Sequence, residues 1–130
     1  MIMVRRVQAG HRARGDRGAA QSLQWTLLAP VVVLATIGLV QSAIVLDARQ
    51  TARTAALAGA EAEALFRAPV GSGRPVATSV AQTGGLRNVT VTVSRTNGMA
   101  VVTVTGSADT FLDVGQGNIT RTATIPLEEP

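Results

Sequence analysis

The stretch that decides the fold is GAAQSLQWTLLAPVVVLATIGLVQSAIVL, residues 18–46, in which no side chain is ionisable. At about 1.5 Å of rise per residue, a helix of this length measures roughly 40 Å, which is enough to cross a hydrocarbon core about 30 Å thick. Most of its apolar surface comes from residues 31–34 and 44–46. The sequence therefore predicts a membrane-spanning helix over residues 19–46, preceded by a short basic segment at residues 1–18.

The charges on either side of this stretch predict its orientation. After it, Asp47 is followed by Arg49 and Arg53, so the charge there is nearly balanced. The segment before it has one acid, Asp16, and five basic residues: Arg5, Arg6, Arg12, Arg14 and Arg17. Since cytoplasmic flanks carry an excess of positive side chains, we expect a single-pass protein with its N-terminus inside and its C-terminal part outside.

A cleaved secretory signal and a buried core helix are less favoured assignments for the apolar stretch. A secretory signal has an apolar region of about 7–15 residues and a small-residue cleavage site. Here the apolar region is about twice that length, and Gln41-Ser42-Ala43 is a poor site. Cleavage near Ala43 would release a secreted soluble β-protein. A core helix of a soluble protein needs a surrounding domain, and the remaining chain is too short to provide one.

Two features inside the apolar stretch bear on helix packing. Pro30 removes one backbone donor and clashes with the carbonyl four residues back, so we expect a kink near Thr26. Gly38 and Ser42 form a pair of small residues four positions apart, which lets membrane helices approach closely. We therefore expect neighbouring helices to pack at this pair.

A second helical segment follows at residues 47–67, DARQTARTAALAGAEAEALFR, which is rich in alanine and contains no proline. Small side chains recur along one face at a spacing of three to four residues: Ala48, Ala52, Ala55, Gly59 and Ala62. This stripe permits close packing, either against other subunits or against the chain's own β-domain. The opposite side is expected to carry four charged residues: Arg49, Arg53, Glu61 and Glu63.

A β-hairpin is predicted at the turn dipeptide Asn97-Gly98, which is typical of a two-residue type I′ turn. Folding about this turn gives four cross-strand pairs: Thr90–Thr105, Val91–Val104, Thr92–Thr103 and Val93–Val102. The valines then share one face and the threonines the other, so turn and pattern indicate the same register.

The remaining C-terminal sequence completes an α+β fold. A Pro/Gly-rich linker is predicted at residues 68–87, with a short turn of helix at 76–82, and a small β-domain at 88–130. A third strand is predicted at 118–127. The loop at 107–117 is expected to cover the core with three apolar side chains: Phe111, Leu112 and Val114. The predicted architecture is a long N-terminal helix packed on a three-stranded antiparallel sheet.

The outer segment lacks the usual groups of an active site. The chain has no lysine and no cysteine, and its one histidine, His11, lies in the basic segment. Most nucleophile–base pairs therefore cannot form, and we expect no enzyme, no cofactor and no small-molecule substrate. Asp109 and Asp113 could share a cation, but their spacing does not match a calcium loop. Two solvated loop acids are the simpler interpretation.

The charge distribution disfavours binding to nucleic acid. The net charge is +4, yet five of the twelve arginines lie in the first seventeen residues, beside the predicted span. Such a tail is better understood as a determinant of topology that is attracted to anionic lipid. The outer part lacks the interleaved aromatic and basic residues that stack on bases.

The order of these features resembles a known family. The basic tail ends in Asp16-Arg17-Gly18 and is followed by Ala19-Ala20-Gln21-Ser22. The apolar run contains Leu27-Leu28-Ala29-Pro30, and the alanine-rich helix begins with Ala48-Arg49-Gln50. With the threonine–valine β-domain, this layout is similar to the TadE-type pseudopilins of the tight-adherence (Tad/Flp) pilus system of bacteria. The resemblance covers nearly the whole chain and is most specific over residues 17–50.

The resemblance implies a minor pilin-like component of the bacterial cytoplasmic membrane or of a pilus or related secretion apparatus. A prepilin peptidase would remove residues 1–18 as a cytoplasmic leader by cutting after Gly18, which leaves Ala19 as the new N-terminus. Cleavage after Gly15 is a further alternative. The helix would then pack against other pilin-like subunits, and an assembly ATPase and its inner-membrane platform would be the other partners.

One position departs from the family pattern. The glutamate that family members carry after the cut aligns with Gln24, one place farther from Gly18 than usual. In pilin-like proteins that acid is thought to pair with the new amino terminus of a neighbour, whereas Gln24 can accept a hydrogen bond but cannot form the ion pair. The alternative to a processed subunit is therefore a permanently anchored envelope protein whose β-domain binds a partner.

Overall fold

The computed structural model describes residues 2–112, 115 and 117–128, with side chains from residue 17 onward. The chain divides into two compact units, Met1–Leu39 and Val40–Pro130. The first unit is helical throughout its described length. The second contains the rest of the long helix, a short helix and three strands. In chain order the elements are α1 (Ile2–Ala64), α2 (Gly73–Thr83), β1 (Arg87–Thr96), β2 (Met99–Ser107) and β3 (Asn118–Pro126).

The C-terminal half of α1 packs on the sheet, which confirms the predicted α+β fold and its pilin-like layout. The buried apolar side chains of this half recur at helical spacing and are nearly all alanine: Val45, Ala48, Ala52, Ala55, Ala56, Ala60 and Ala64. Val102 and Val104 of β2 and Ile119 of β3 belong to the same core. Because alanine is small, this face of α1 can lie close to the sheet.

The sheet has the predicted hairpin register. β2 is the central strand and pairs antiparallel with β1 and β3. Val93 lies opposite Val102, and Thr92 lies opposite Thr103. Asn97 has a φ of 51° and Gly98 a φ of 72°, which are the left-handed values that a type I′ turn requires. The turn and the alternation of valine and threonine therefore specify one register together.

The outward face of the sheet is rich in threonine, as predicted. The hydroxyl oxygens of Thr103 and Thr122 are 3.0 Å apart, and those of Thr105 and Thr120 are 3.3 Å apart. These pairs hydrogen-bond across β2 and β3. Cross-strand pairs of this kind stabilise a sheet on its wet side.

Replacing Gly98 with valine is expected to lower the free energy of unfolding by about 1–3 kcal/mol, because a β-branched residue is strained at positive φ. A guanidinium titration of the full chain in detergent micelles, followed by far-UV circular dichroism, measures the change. Thr96→Val is the control, because Thr96 is an exposed strand residue beside the same turn. Equal midpoints for the two variants would contradict the turn geometry.

Residues 68–87, predicted as a linker, contain an ordered helix. The short turn expected at 76–82 is the inner part of α2, which runs from Gly73 to Thr83. Pro75 is compatible with this helix because it lies in the first turn, where backbone N–H groups have no partner inside the helix. Ala77 and Ala81 are fully buried in the same core as α1 and β2. The segment is therefore part of the domain.

Two glycines bring α1 and α2 into direct contact. A Cβ added to Gly73 would meet the carbonyl oxygen of Gly59, and a Cβ added to Gly59 would lie 2.7 Å from the Cβ of Ala77. Gly84, which follows α2, is packed in a similar way against the side chain of Thr51. Glycine therefore sets the spacing between the two helices at both ends of α2.

The loop between β2 and β3 differs from its prediction. Phe111 is 73% exposed and Leu112 is 62% exposed, so neither covers the core. Val114 lies outside the described residues. Ile119 of β3 is buried in the core, because its position opposite Gly106 of β2 places it on the inner face of the sheet.

Candidate functional site

The stretch of α1 from residue 18 to residue 40 is mostly apolar and is exposed on every side. All residues from 17 to 40 are exposed. Large apolar side chains dominate this surface: Leu23, Trp25, Leu27, Leu28, Val31, Val32, Val33, Leu34, Ile37, Leu39 and Val40. Within the described part of the chain, α1 is the one helix that is long and apolar enough to cross a membrane. A helix that is apolar all round is suited to lipid, which makes a single-pass membrane protein plausible.

The fully exposed part of this helix ends earlier than the predicted span. Gln41 and Ile44 are half-buried and Val45 is buried, so one side of the helix already lies against the β-domain here, while Ser42, Ala43 and Leu46 on the other side stay exposed. Residues 18–40 alone form a helix of about 35 Å, which still exceeds a hydrocarbon core of about 30 Å. The change from exposed helix to packed helix therefore lies at Gln41.

The residues predicted to pack against neighbouring helices in the membrane are all on the surface. Gln24, Pro30, Gly38 and Ser42 are exposed, and a Cβ added to Gly38 would meet nothing within 4 Å. Pro30 lies inside α1, which continues on both sides of it. The kink near Thr26 stays a prediction. A neighbouring helix can reach this surface.

The predicted cleavage site lies within α1. Gly18 and Ala19 are both helical and exposed. A peptidase that binds extended backbone has to unwind the helix locally at this point. Arg17 is exposed, whereas the side chains of the other topology residues lie outside the described residues: Arg5, Arg6, Arg12 and Arg14. The predicted orientation in the membrane therefore stays a prediction.

The small-residue stripe in the second half of α1 belongs to the chain's own core. Ala52 and Ala55 are fully buried, and Ala48 is 7% exposed. Gly59 contacts α2. Of the two predicted roles, packing on the chain's own domain is the one observed, because the valine face of the sheet needs a cover. These four residues have no surface left for a neighbouring subunit.

Near its C-terminal end, α1 carries a fully buried carboxylate, that of Glu63. Its Oε1 accepts hydrogen bonds from the Gly71 N–H at 2.9 Å and from Nε of Arg95 at 2.8 Å. Its Oε2 accepts one from the Gly73 N–H at 2.8 Å. Gly73 opens α2, and the side chain of Ser72 forms no capping bond there. Glu63 therefore caps α2 from a different helix.

Arg95 of β1 completes this polar centre. Its Nη2 donates to the carbonyl oxygens of Ala68 at 2.9 Å, Pro69 at 3.1 Å and Glu63 at 3.3 Å. Carbonyls at the end of a helix lack partners within it, so the guanidinium supplies donors where α1 stops. One glutamate and one arginine thus connect α1, α2, the segment between them and β1.

The environment of Glu63 keeps it ionised. Burial alone would raise the pKa of its carboxyl, but hydrogen bonds from Gly73, Gly71 and Arg95, together with the arginine's charge, outweigh burial. The pKa therefore lies below its usual value of 4.5. Both carboxylate oxygens accept hydrogen bonds from the chain's own donors. The role of this polar centre is therefore structural: it holds α1, α2 and β1 together.

The sequence pattern predicts Glu63 on the solvated side of the helix, and that prediction is wrong. Arg49, Arg53 and Glu61 are exposed as expected, but Glu63 is not. One signal could have revealed the centre. Arg95 follows Val91 and Val93 in strict alternation, so a charge occupies the apolar face of β1 and requires a buried partner.

A second polar contact ties the β2–β3 loop to α1. Nε2 of Gln41 donates to the carbonyl oxygen of Leu112 at 2.7 Å, and the Leu112 N–H donates to Oε1 of Gln41 at 3.1 Å. In the same loop, Asp109 forms an ion pair with Arg87 at 3.0 Å. Asp113, the other acid of the cation site considered from the sequence, lies outside the described residues.

The described surfaces are thus an exposed apolar helix, a threonine-rich face and a loop held beside Gln41. Comparison of the chain with protein-family models, with curated proteins and with solved structures finds no match. Function has to be inferred from these surfaces and from the residues that line them.

Proposed function

We propose that this protein is a membrane-anchored, pilin-like subunit of the TadE type. It acts in the assembly of a tight-adherence or type IV-related pilus or secretion apparatus in the bacterial cytoplasmic membrane. The observation that carries the proposal is the division of α1: residues 18–40 are mostly apolar and exposed, whereas residues 45–64 pack on a small sheet. Such a helix anchors the chain in lipid and leaves the domain free to contact partners.

Assembly proceeds through the exposed surface of α1. The stripe from Ala48 to Gly59 is covered by the chain's own domain, so it is not the contact surface. Gly38 and Ser42 are small, exposed and one helical turn apart, which suits close approach of a second helix. The partners are other pilin-like subunits, a prepilin peptidase, and an assembly platform with its ATPase.

Gln24 supports a second candidate, a permanently anchored envelope protein whose β-domain binds a partner. Gln24 lies on the exposed helix and carries no charge. Gln24 therefore cannot form an ion pair with a neighbour's new amino terminus. Acids inside a membrane are costly and are normally stabilised by such a pair. In this candidate the basic tail stays attached as a fixed determinant of topology.

Processing separates the two candidates. In cells that express a prepilin peptidase, we expect the protein recovered from membranes to begin at Ala19, and in cells without it to keep residues 1–18. Intact mass and N-terminal sequencing measure this. Gly18→Val should abolish processing, because peptidases of this class are expected to need glycine before the cut.

The matched control is Gly15→Val, which changes the other glycine of the same segment. It should leave processing intact. An intact basic tail in the presence of active peptidase would overturn the pseudopilin proposal and leave the permanently anchored protein. A chain that begins at Asp16 would move the cut to the alternative site after Gly15.

A further inference from the structure

Phe111 and Leu112 form an exposed apolar pair in the β2–β3 loop. Phe111 is 73% exposed and Leu112 is 62% exposed. The chain has only two phenylalanines, and this one does not contribute to the core. Adjacent large apolar side chains at the surface of a small domain are unfavourable in water, and they become favourable when a second apolar phase covers them. The position of this loop along α1 indicates which phase that is.

The loop lies beside the residue at which the exposed helix ends. The two hydrogen bonds between Gln41 and Leu112 hold it there. Gln41 directly follows Leu39-Val40, the last residues of the fully exposed apolar run. The apolar pair is therefore tethered where α1 is expected to leave the hydrocarbon core.

The opposite end of the domain is far from this point. The Glu128 N–H donates to the carbonyl of Ala64 at 2.9 Å, and the Leu127 N–H donates to the carbonyl of Gly98 in the hairpin turn at 2.8 Å. Ala64 lies about 35 Å beyond Gln41 along the helix. The hairpin turn and the β2–β3 loop therefore lie at opposite ends of the domain along the axis of α1.

The part of α1 that follows its contact with the β2–β3 loop carries side chains that suit a layer of lipid headgroups. Arg49 and Arg53 come one to two turns beyond Leu46 and line an open cleft with Arg121 of β3. The lining residues of this cleft include three arginines and no acid. Arginine binds phosphate well, and helical side chains lean towards the N-terminus, which here is the membrane side.

We propose that Phe111 and Leu112 insert into the outer interface of the bilayer that α1 spans, so that lipid covers them. This inference rests on the membrane anchoring in the proposed function and is independent of its pilus part. The bonds from Gln41 fix the depth of the loop, and phenylalanine and leucine are among the side chains that surface-lying segments bury at the boundary between headgroups and acyl chains. The domain then touches the membrane at its loop end and holds the hairpin turn away from it.

The test uses the full chain in lipid nanodiscs with one copy per disc. The chain has one tryptophan, Trp25, so Trp25→Phe combined with Phe111→Trp reports from the loop alone. We expect brominated lipid to remove most of the indole fluorescence, with a larger loss for bromines near the headgroup than for bromines near the terminal methyl. The emission maximum should also lie at a shorter wavelength than that of an indole in water.

The matched control combines Trp25→Phe with Thr96→Trp, which places the indole beside the hairpin turn. Thr96 is exposed like Phe111, so this variant should lose little fluorescence. The unmodified chain tests the anchor separately, since Trp25 lies in the exposed apolar helix. Quenching of Trp25 with no more quenching at position 111 than at position 96 would overturn the inference and leave the anchor intact.

A spin label gives an answer that does not depend on Phe111. The chain has no cysteine, so Leu112→Cys provides one labelling site, and the bonds to Gln41 use only the backbone of residue 112. We expect the label to be more accessible to oxygen than to a water-soluble nickel complex. The reverse ranking, or a label shielded from both reagents as in a protein contact, would also overturn the inference.

Discussion

Replacing Glu63 with alanine is expected to lower the free energy of unfolding by about 3–5 kcal/mol, as for the loss of one partner from a buried ion pair. The change removes the carboxylate that is 2.8 Å from Nε of Arg95. It also leaves the N–H groups of Gly71 and Gly73 without their acceptor. Guanidinium titration of the full chain in micelles, followed by far-UV circular dichroism, measures the loss.

Glu61→Ala is the matched control for this change. Glu61 is two residues away on the same helix and exposed, so its replacement should alter stability by no more than about 0.5 kcal/mol. Replacing Glu63 and Arg95 together by leucine should be less harmful than Glu63→Ala, because no unpaired charge is left buried. Equal stability of Glu63→Ala and Glu61→Ala would contradict the capping role.

The pH dependence of stability provides an independent check. Because the pKa of Glu63 is lower in the folded chain than its usual 4.5, its contribution is fully present above that value. The contribution is lost as pH falls through the folded pKa. The difference in stability between the wild type and Glu63→Ala should therefore shrink at pH values below about 4.5. A difference that grows on acidification would contradict an ionised, hydrogen-bonded carboxylate.

Replacing Gly73 with alanine is expected to have the second largest effect, at or above the upper end of the usual range of about 1–3 kcal/mol for overpacking. The added Cβ meets the backbone carbonyl of Gly59. A backbone atom in a helix cannot rotate away as a flexible side chain can, so α1 and α2 must separate. That movement also pulls the Gly73 N–H away from Glu63. The same denaturation assay measures the effect.

Gly38→Ala is the control for the glycine exchange itself. Gly38 is also helical, and a Cβ there meets nothing within 4 Å. Alanine is favoured over glycine in a helix by up to about 1 kcal/mol, so this variant should be neutral or stabilising. If both variants had the same stability, the close approach of the two helices would be disproved.

The parts of the fold that depend on local signals could be predicted from the sequence. The register of β1 and β2 follows from a turn dipeptide and from alternation with a period of two, both of which act over a few residues. The apolar character of α1 is likewise local. The full extent of the helix at residues 73–83 could not be predicted, because Gly71, Gly73 and Pro75 resemble a linker. Their roles become evident only when α1 lies beside them.

The polar centre could not be predicted from local pattern alone. Glu63 and Arg95 are 32 residues apart, and their meeting depends on how α1 is rotated on the sheet. An alanine-rich helix gives little information about that rotation, because small residues occur on several of its faces. The buried face includes Ala56 and Ala60, which fit a helical spacing equally well but are not in the stripe predicted from the sequence. The charge of Arg95 on the valine face is the available clue.

The backbone contact between Gly59 and Gly73 limits how related chains can diverge. Surface threonines and the exposed apolar residues of α1 are interchangeable with others of their kind, whereas no larger side chain fits at this crossing. Glu63 depends on the same geometry, and Arg95 depends on Glu63. Distant relatives should therefore retain a sparse pattern of two glycines, one glutamate and one arginine at fixed separations, even where the rest of the domain has changed beyond recognition.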